Sequence, residues 1–304
     1  MDNKVLLISP SPHVRSKNST TTIMLDVIIA LCPALIASII LFGWRSLAVV
    51  GVCVVTAVLS ELIFELICKR DITVGDLSAV VTGVLLGFNL PVYIPLWQAA
   101  VGSAIAIIVV KQLFGGIGCN FANPAITARI VMLLSFPTTM VRFTADAVSS
   151  ATPLVIINEG GEISSYLDLF LGKHAGSLGE TCALALIIGG VYLLARRVIT
   201  WHIPVAFIGS VFLLSFALGM DPLACILAGG VMIGAIFMAT DYSTSPNNKW
   251  GKIIFGVGCG VITVLIRRFS SNPEGVSYAI LLMNILTPYV TKLARKRVFG
   301  GRYK

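Results

Sequence analysis

Hydrophobic positions gather into ten long runs, at about 21–43, 46–67, 76–91, 94–113, 125–140, 179–196, 202–219, 221–240, 252–269 and 276–293. Several reach the roughly 20 residues that an α-helix needs to cross a bilayer. A helix that is apolar all round has no solvated face and is buried in protein or lipid on every side. The third and fifth runs, "GDLSAVVTGVLLGFNLP" and "NPAITARIVMLLSFP", are short or interrupted. Broken spans of this kind sit inside a bundle and line a cavity or site. The pattern predicts an all-α integral membrane protein with about ten transmembrane helices.

The polar connections set the orientation. With the N-terminus inside, the cytoplasmic ends collect Lys4, Arg15, Lys17, Lys69, Arg70, Lys111, Arg196, Arg197, Lys249, Lys252 and a tail from Lys292 to Lys304, sixteen basic residues in all. The outside receives five, Arg45, Arg142, Lys173, Arg267 and Arg268, while Arg129 lies within a run. An excess of Lys and Arg marks cytoplasmic loops, so both termini are expected inside. The longest connection then faces outside and carries Asp146, Glu159, Glu162 and Asp168. The expected organisation is a cytoplasmic N-terminal segment (1–20), a first membrane unit (21–140), an extracytoplasmic loop (141–178), a second membrane unit (179–293) and a basic cytoplasmic tail (294–304). The polar start "MDNKVLLISPSPHVRSKNST" has too short an apolar run for a cleavable signal.

The two membrane units echo each other. "TGVLLGF" (82–88) resembles "GGVMIGA" (229–235), "KQLFGGIGC" (111–119) resembles "KIIFGVGCG" (252–260), and "NPAITARIVMLLSFP" resembles "NPEGVSYAILLMNILTP", in the same order. Five runs per unit is an odd number, so the halves have opposite topology. Inverted repeats of this kind often place a site at their interface. The glycine-rich stretches Gly83–Gly87 and Gly230–Gly234 are expected to face each other there, because glycine lets helix backbones approach closely.

Composition agrees with the pattern. Of 304 residues, 57% are hydrophobic and 12% charged, and the mean hydropathy is +0.94; soluble domains carry about twice that charge fraction. The net charge of +8 follows from basic cytoplasmic loops and does not call for a nucleic-acid partner. The seven cysteines form no CxxC pair, so this chain alone builds no iron–sulfur or zinc site, and most read as small apolar helix residues. Cys119 and Cys259 are placed near helix ends.

Candidate chemistry is sparse. There is no HExxH, P-loop or acyl-transfer triad, "GVGCG" lacks the strand–turn–helix setting of a nucleotide fingerprint, and His13, His174 and His202 fall at separate polar ends. Acidic residues in a membrane segment are costly and often functional. Glu61 and Glu65 share one helix face and serve ion handling or helix contact, or form an end pair beside Lys69 and Arg70. Asp26 snorkels near the start of the first run, and Glu180 suits a helix N-terminus. Asp241, in "FMATDYSTSP", ends the eighth run before a hydroxyl-rich turn.

The outer loop contains "DAVSSATPL" (146–154). Asp146, Ser149, Ser150, Ala151 and Thr152 resemble the flavinylation signal Asp-x-x-(Ser/Thr)-Gly-Ala-Thr, in which the last Thr is joined to FMN through a phosphoester; here Ser150 stands in place of the usual Gly. Outside the cytoplasm a tethered flavin is not lost by dilution. Small neighbours leave Thr152 open to a modifying enzyme, and Arg142 or Lys173 would offset the phosphate charge.

Beyond that loop, "SPSPHVRSKNSTTTIMLDVIIALCPAL", "FGGIGCNFANPAITARI", "SSATPL", "GSLGETCALALIIGG" and "FMATDYSTSP" resemble the D subunits of Rnf electron-transport complexes over nearly the whole chain. They resemble more distantly the B subunits of sodium-pumping NADH:quinone oxidoreductases. The resemblance implies ten helices in two inverted five-helix repeats of urea-transporter type. It implies covalent FMN on Thr152 and a second, non-covalent flavin such as riboflavin, to which no residues are assigned. It implies assembly with the A, B, C, E and G components of the Rnf complex, among them a second covalent flavoprotein, iron–sulfur proteins and two small membrane proteins. Such complexes pass electrons between ferredoxin and NAD and couple this to movement of Na+ or H+. The competing expectation is a stand-alone channel or permease for a small solute, which the same fold would suit but which has no need of the "SSAT" loop.

Overall fold

A computed structural model describes residues 19–141, 144–145, 148–149, 165–172, 174, 176–180, 182–270 and 274–294. Helix α1 (Thr20–Phe42) starts from Ser19, whose Oγ accepts from the Thr22 amide while the Thr22 Oγ1 accepts from the Ser19 amide; two orphan donors are satisfied reciprocally. Gly43, at φ +73°, reverses the chain into α2 (Trp44–Ile67). Helix α3 (Ser78–Phe88) has only 11 residues. Helix α4 (Leu96–Ile105) runs on as a π-helical stretch, Ala106–Gln112. Helix α5 (Pro124–Ser135) is set by Asn123, whose side chain accepts from the amides of Ala125 and Ile126, and by Pro124 in its first turn. A short α6 (Pro137–Met140) follows.

After α6 come two two-residue strands, β1 (Thr144–Ala145) and β2 (Val148–Ser149), paired antiparallel with Thr144 opposite Ser149. This hairpin is the exception to an otherwise all-α fold among the described residues. After α7 (Tyr166–Leu171) come α8 (Ala183–Ala195), α9 (His202–Ala217), α10 (Pro222–Leu227), α11 (Val231–Ile233) with a π-helical extension Gly234–Met238, α12 (Lys249–Phe269) and α13 (Gly275–Leu293).

The chain is a membrane protein. Helices α1, α2, α12 and α13 are long and apolar enough to cross a bilayer, and five shorter apolar helices accompany them. Ile40 and Ile67 are more than three-quarters exposed. Such side chains are stable facing lipid, where every backbone group is already satisfied within its own helix. The core sits where α1 lies on α8 and α5 on α13, pairs distant in sequence, and where α2 lies on α3 and α4 and α9 on α12.

One expectation changes. The eighth run is broken near its glycines, with α10 and α11 separated by Ala228, Gly229 and Gly230; Gly229 takes φ +70°, which most side chains disfavour. The two glycine stretches, however, do not meet. A Cβ on Gly83 would lie 2.7 Å from the Val54 Cα, and one on Gly87 3.0 Å from the Val50 Cα, so both serve the close approach of α3 to α2. Gly230 instead faces Glu180, and Gly234 faces Val276.

Candidate functional site

Two buried charge networks and a cavity occupy the interior. The first centres on Arg129 of α5. Its Nη1 lies 3.0 Å from Glu180 Oε1 and its Nη2 lies 2.7 Å from Glu274 Oε2. Nη1 also donates to Asn89 Oδ1 at 3.0 Å and to Ser277 Oγ at 3.1 Å. One guanidinium thus joins the end of α3, the residues before α8 and the start of α13. A planar fork serves the three hydrogen-bond acceptors Asn89, Ser277 and Glu274 at once, while Glu180 pairs with it by charge. Glu180 is therefore not the helix-start residue expected of it. Helix α8 begins at Ala183, and the carboxylate is spent on Arg129.

Beside this network, Arg267 of α12 is buried and donates to the backbone carbonyls of Cys225 and Ala228 at the break between α10 and α11. Its side chain is thus spent inside the protein, although the residue lies in the last turn of α12. Arg129, Glu180, Gly230, Arg267, Glu274 and Val276 line a void of about 10 Å³, about the least that holds one water.

The second network lies around Lys111. Its Nζ is 2.5 Å from Glu61 Oε1 and donates to Ser78 Oγ at 2.5 Å, while Gln112 Nε2 donates to the same Glu61 oxygen at 2.7 Å. Both donors come from the π-helical end of the fourth run, and π-helical turns recur at functional sites. Glu61 Oε2 is buried without a hydrogen-bond partner. Glu65 accepts from the amide and hydroxyl of Thr73. Both glutamates are buried, so they are not a solvated end pair beside Lys69 and Arg70. Asp26 does not snorkel; it accepts from Tyr192 and Arg196 and ties α1 to α8.

Ser78 and Lys111 also border a cavity of about 100 Å³. Met24, Val27, Leu85 and Phe237 give it apolar walls, while Asn120, Asn123 and Asp241 add polar groups. Asn120 Oδ1 is buried with no hydrogen-bond partner. Asp241 accepts from the amide and hydroxyl of Ser243 and the hydroxyl of Thr244, as its turn position suggests.

Of the flavinylation pattern, Asp146, Ser150, Ala151 and Thr152 lie outside the described residues, as do Arg142 and Lys173; Ser149 enters only through its strand pairing. Cys259 sits in the middle of α12, buried, and not near a helix end. Among the described residues no three His, Cys, Asp or Glu side chains gather as a metal site. Sequence reasoning passes over Arg129 and Arg267. The available signal is a single basic residue inside an apolar run, which needs a buried partner.

Residues 7–300 match the model of the NQR2, RnfD, RnfE family. The chain is 46% identical, over 99% of its length and 97% of the relative, to the D subunit of the Na(+)-translocating ferredoxin:NAD(+) oxidoreductase complex of Acetobacterium woodii. It is 40% identical, over 98% and 97%, to the D subunit of the proton-translocating ferredoxin:NAD(+) oxidoreductase complex of Clostridium ljungdahlii. It is 35% identical, over 98% and 97%, to the D subunit of the ion-translocating oxidoreductase complex of Alcanivorax borkumensis.

Proposed function

The chain belongs to the NQR2, RnfD, RnfE family, and from that premise we propose that it is the D subunit of an ion-translocating ferredoxin:NAD+ oxidoreductase, the Rnf complex. The observation that carries this reading is the 46% identity across both full lengths to a relative so named. The protein relays electrons and couples their passage to movement of Na+ or H+; it is not catalytic alone. It sits in the cytoplasmic membrane with both termini inside, in contact with lipid and with the A, B, C, E and G components of the complex.

Ten crossings in two inverted repeats of urea-transporter type are part of the proposal. The packing of α1 on α8 and of α5 on α13 supports it, because each pair holds the same rank in its own half. So does the likeness between α2 on α4 and α9 on α12.

FMN is proposed on Thr152 through a phosphoester, within the motif of Asp146, Ser149, Ser150 and Ala151. A second, non-covalent flavin is proposed for the cavity. Its apolar walls suit a ring face, and the unpartnered Asn120 Oδ1 suits a ring N–H. A flavin in that place would supply one- and two-electron transfer; Asn120 would hold its polar edge, and Met24, Val27 and Leu85 would keep water from its face.

The test is purification of the tagged chain from its own cells. The expected result is co-purification of the partner proteins and a denatured band that fluoresces yellow-green. A chain recovered alone and colourless, yet moving a small solute, would return the reading to a stand-alone permease.

A further inference from the structure

A helix that ends inside a membrane leaves carbonyls without intrahelical partners. Such freed carbonyls commonly coordinate Na+ or H+ in transporters. The break after α10 is of this type. The Cys225 carbonyl accepts from Nη1 and the Ala228 carbonyl from Nη2 of Arg267, which is 1% exposed.

The end of α3 in the other half is satisfied differently. There the Phe88 carbonyl accepts from the Gly179 amide at 2.8 Å and the Leu90 carbonyl from the Leu178 amide at 3.2 Å. Those partners are neutral backbone. The carbonyls at the break after α10 are therefore held by a charged group, whereas those at the end of α3 are held by backbone amides and the nearby Arg129 reaches only the Asn89 side chain.

We infer that Arg267 is a tethered cation that fills the carbonyl site at the α10–α11 break and closes it to a mobile cation. Three features support this role. A guanidinium is not deprotonated in proteins, so the closure does not open by proton loss. The small void beside it is lined by Arg129, Arg267, Glu180 and Glu274, two positive and two negative groups, so an added cation finds no uncompensated carboxylate there. The fork geometry lets one side chain satisfy both carbonyls, where a single point charge would centre on one. The translocated ion then passes elsewhere in the protein, and this closure prevents slip.

The inference rests on the ion-translocating reading and is tested apart from it. The whole complex is reconstituted in liposomes, and passive 22Na+ efflux is followed with no electron donor. Arg267→Ala is expected to raise efflux roughly tenfold or more, which corresponds to a barrier lowered by about 1.4 kcal/mol or more, while trapped carboxyfluorescein stays inside. Millimolar guanidinium is expected to return efflux towards the wild-type value, and Arg267→Lys, which keeps the charge but centres on one carbonyl, to fall between wild type and Arg267→Ala. Arg267→Gln retains a donor for one carbonyl and is expected to assemble and leak.

An assembled Ala or Gln variant as tight as wild type overturns the inference, and so does a leak that guanidinium leaves unchanged. Failure of all the variants to assemble assigns Arg267 a purely structural role and overturns it equally. A wild-type complex that moves no cation when given reduced ferredoxin and NAD+ sinks the proposed function instead, whatever the variants leak.

Discussion

Glu274 at the start of α13 and Arg129 in the middle of α5 form an ion pair, Oε2 to Nη2, at 2.7 Å across a sequence separation of 145 residues. Glu180 completes the pair from a third direction at 3.0 Å. Removing one partner of a buried pair leaves an uncompensated charge and costs about 3–5 kcal/mol. Arg129→Met is therefore expected to lower the thermal midpoint of the detergent-solubilised protein sharply. Adding Glu274→Gln should recover part of that loss, because residues in one network couple by roughly 0.5–3 kcal/mol. Fluorescence-detected size exclusion after heating reads both. Strict additivity of the two substitutions would show that the pair does not act as a unit.

The membrane class, the positions of the runs and the family are legible in the sequence because each rests on local signals: run length, basic loop ends and contiguous motifs. The charge networks are not, because their members are brought together only by helix packing. Glu61 reads equally as an ion-handling acid, a helix contact or an end-pair acid until Lys111 and Gln112, about 50 residues on, are seen to share its Oε1. Arg267 reads as one more basic residue at the end of a run, since nothing in the sequence ties it to the break at Gly229, about 40 residues away. The glycine stretches mislead for a related reason. Spacing shows that a backbone approaches another closely but does not name the partner, which for Gly83 is α2 of its own half.

The glycine contact yields a stability prediction. A Cβ at Gly83 would meet backbone, the Val54 Cα at 2.7 Å, so neither helix has a flexible end to yield. Gly83→Leu is expected to cost at least about 1–3 kcal/mol from overpacking and to reduce the yield of monodisperse protein. Val55→Leu, at a position of the same helix α2 that is 58% exposed, is expected to be neutral. Equal yields for the two would mean that α3 does not pack on α2 as described.

The basic-residue asymmetry predicts topology. Reporter fusions after Arg70, Arg197 and Lys304 are expected to report cytoplasm, and one near Glu162 the outside. A cytoplasmic signal at Glu162 would reverse the orientation and place the flavinylation motif on the wrong side for its proposed role.

The covalent flavin is the sharpest test of function. Thr152→Ala removes the hydroxyl that the phosphoester needs, at a cost to membrane insertion close to zero, because one hydroxyl and one methyl are lost from a loop. The variant is expected to insert and assemble while covalent flavin fluorescence disappears and electron flow through the complex falls. Ser150→Gly restores the commoner form of the signal and is expected to keep flavinylation. Asp146→Ala is expected to impair it if the modifying enzyme reads that carboxylate. Peptide mass spectrometry of the segment around Thr152, in protein made alongside its flavin transferase, decides the site. An unmodified Thr152, or FMN mass on Ser149 or Ser150, would show that the loop's resemblance to the signal does not extend to its chemistry.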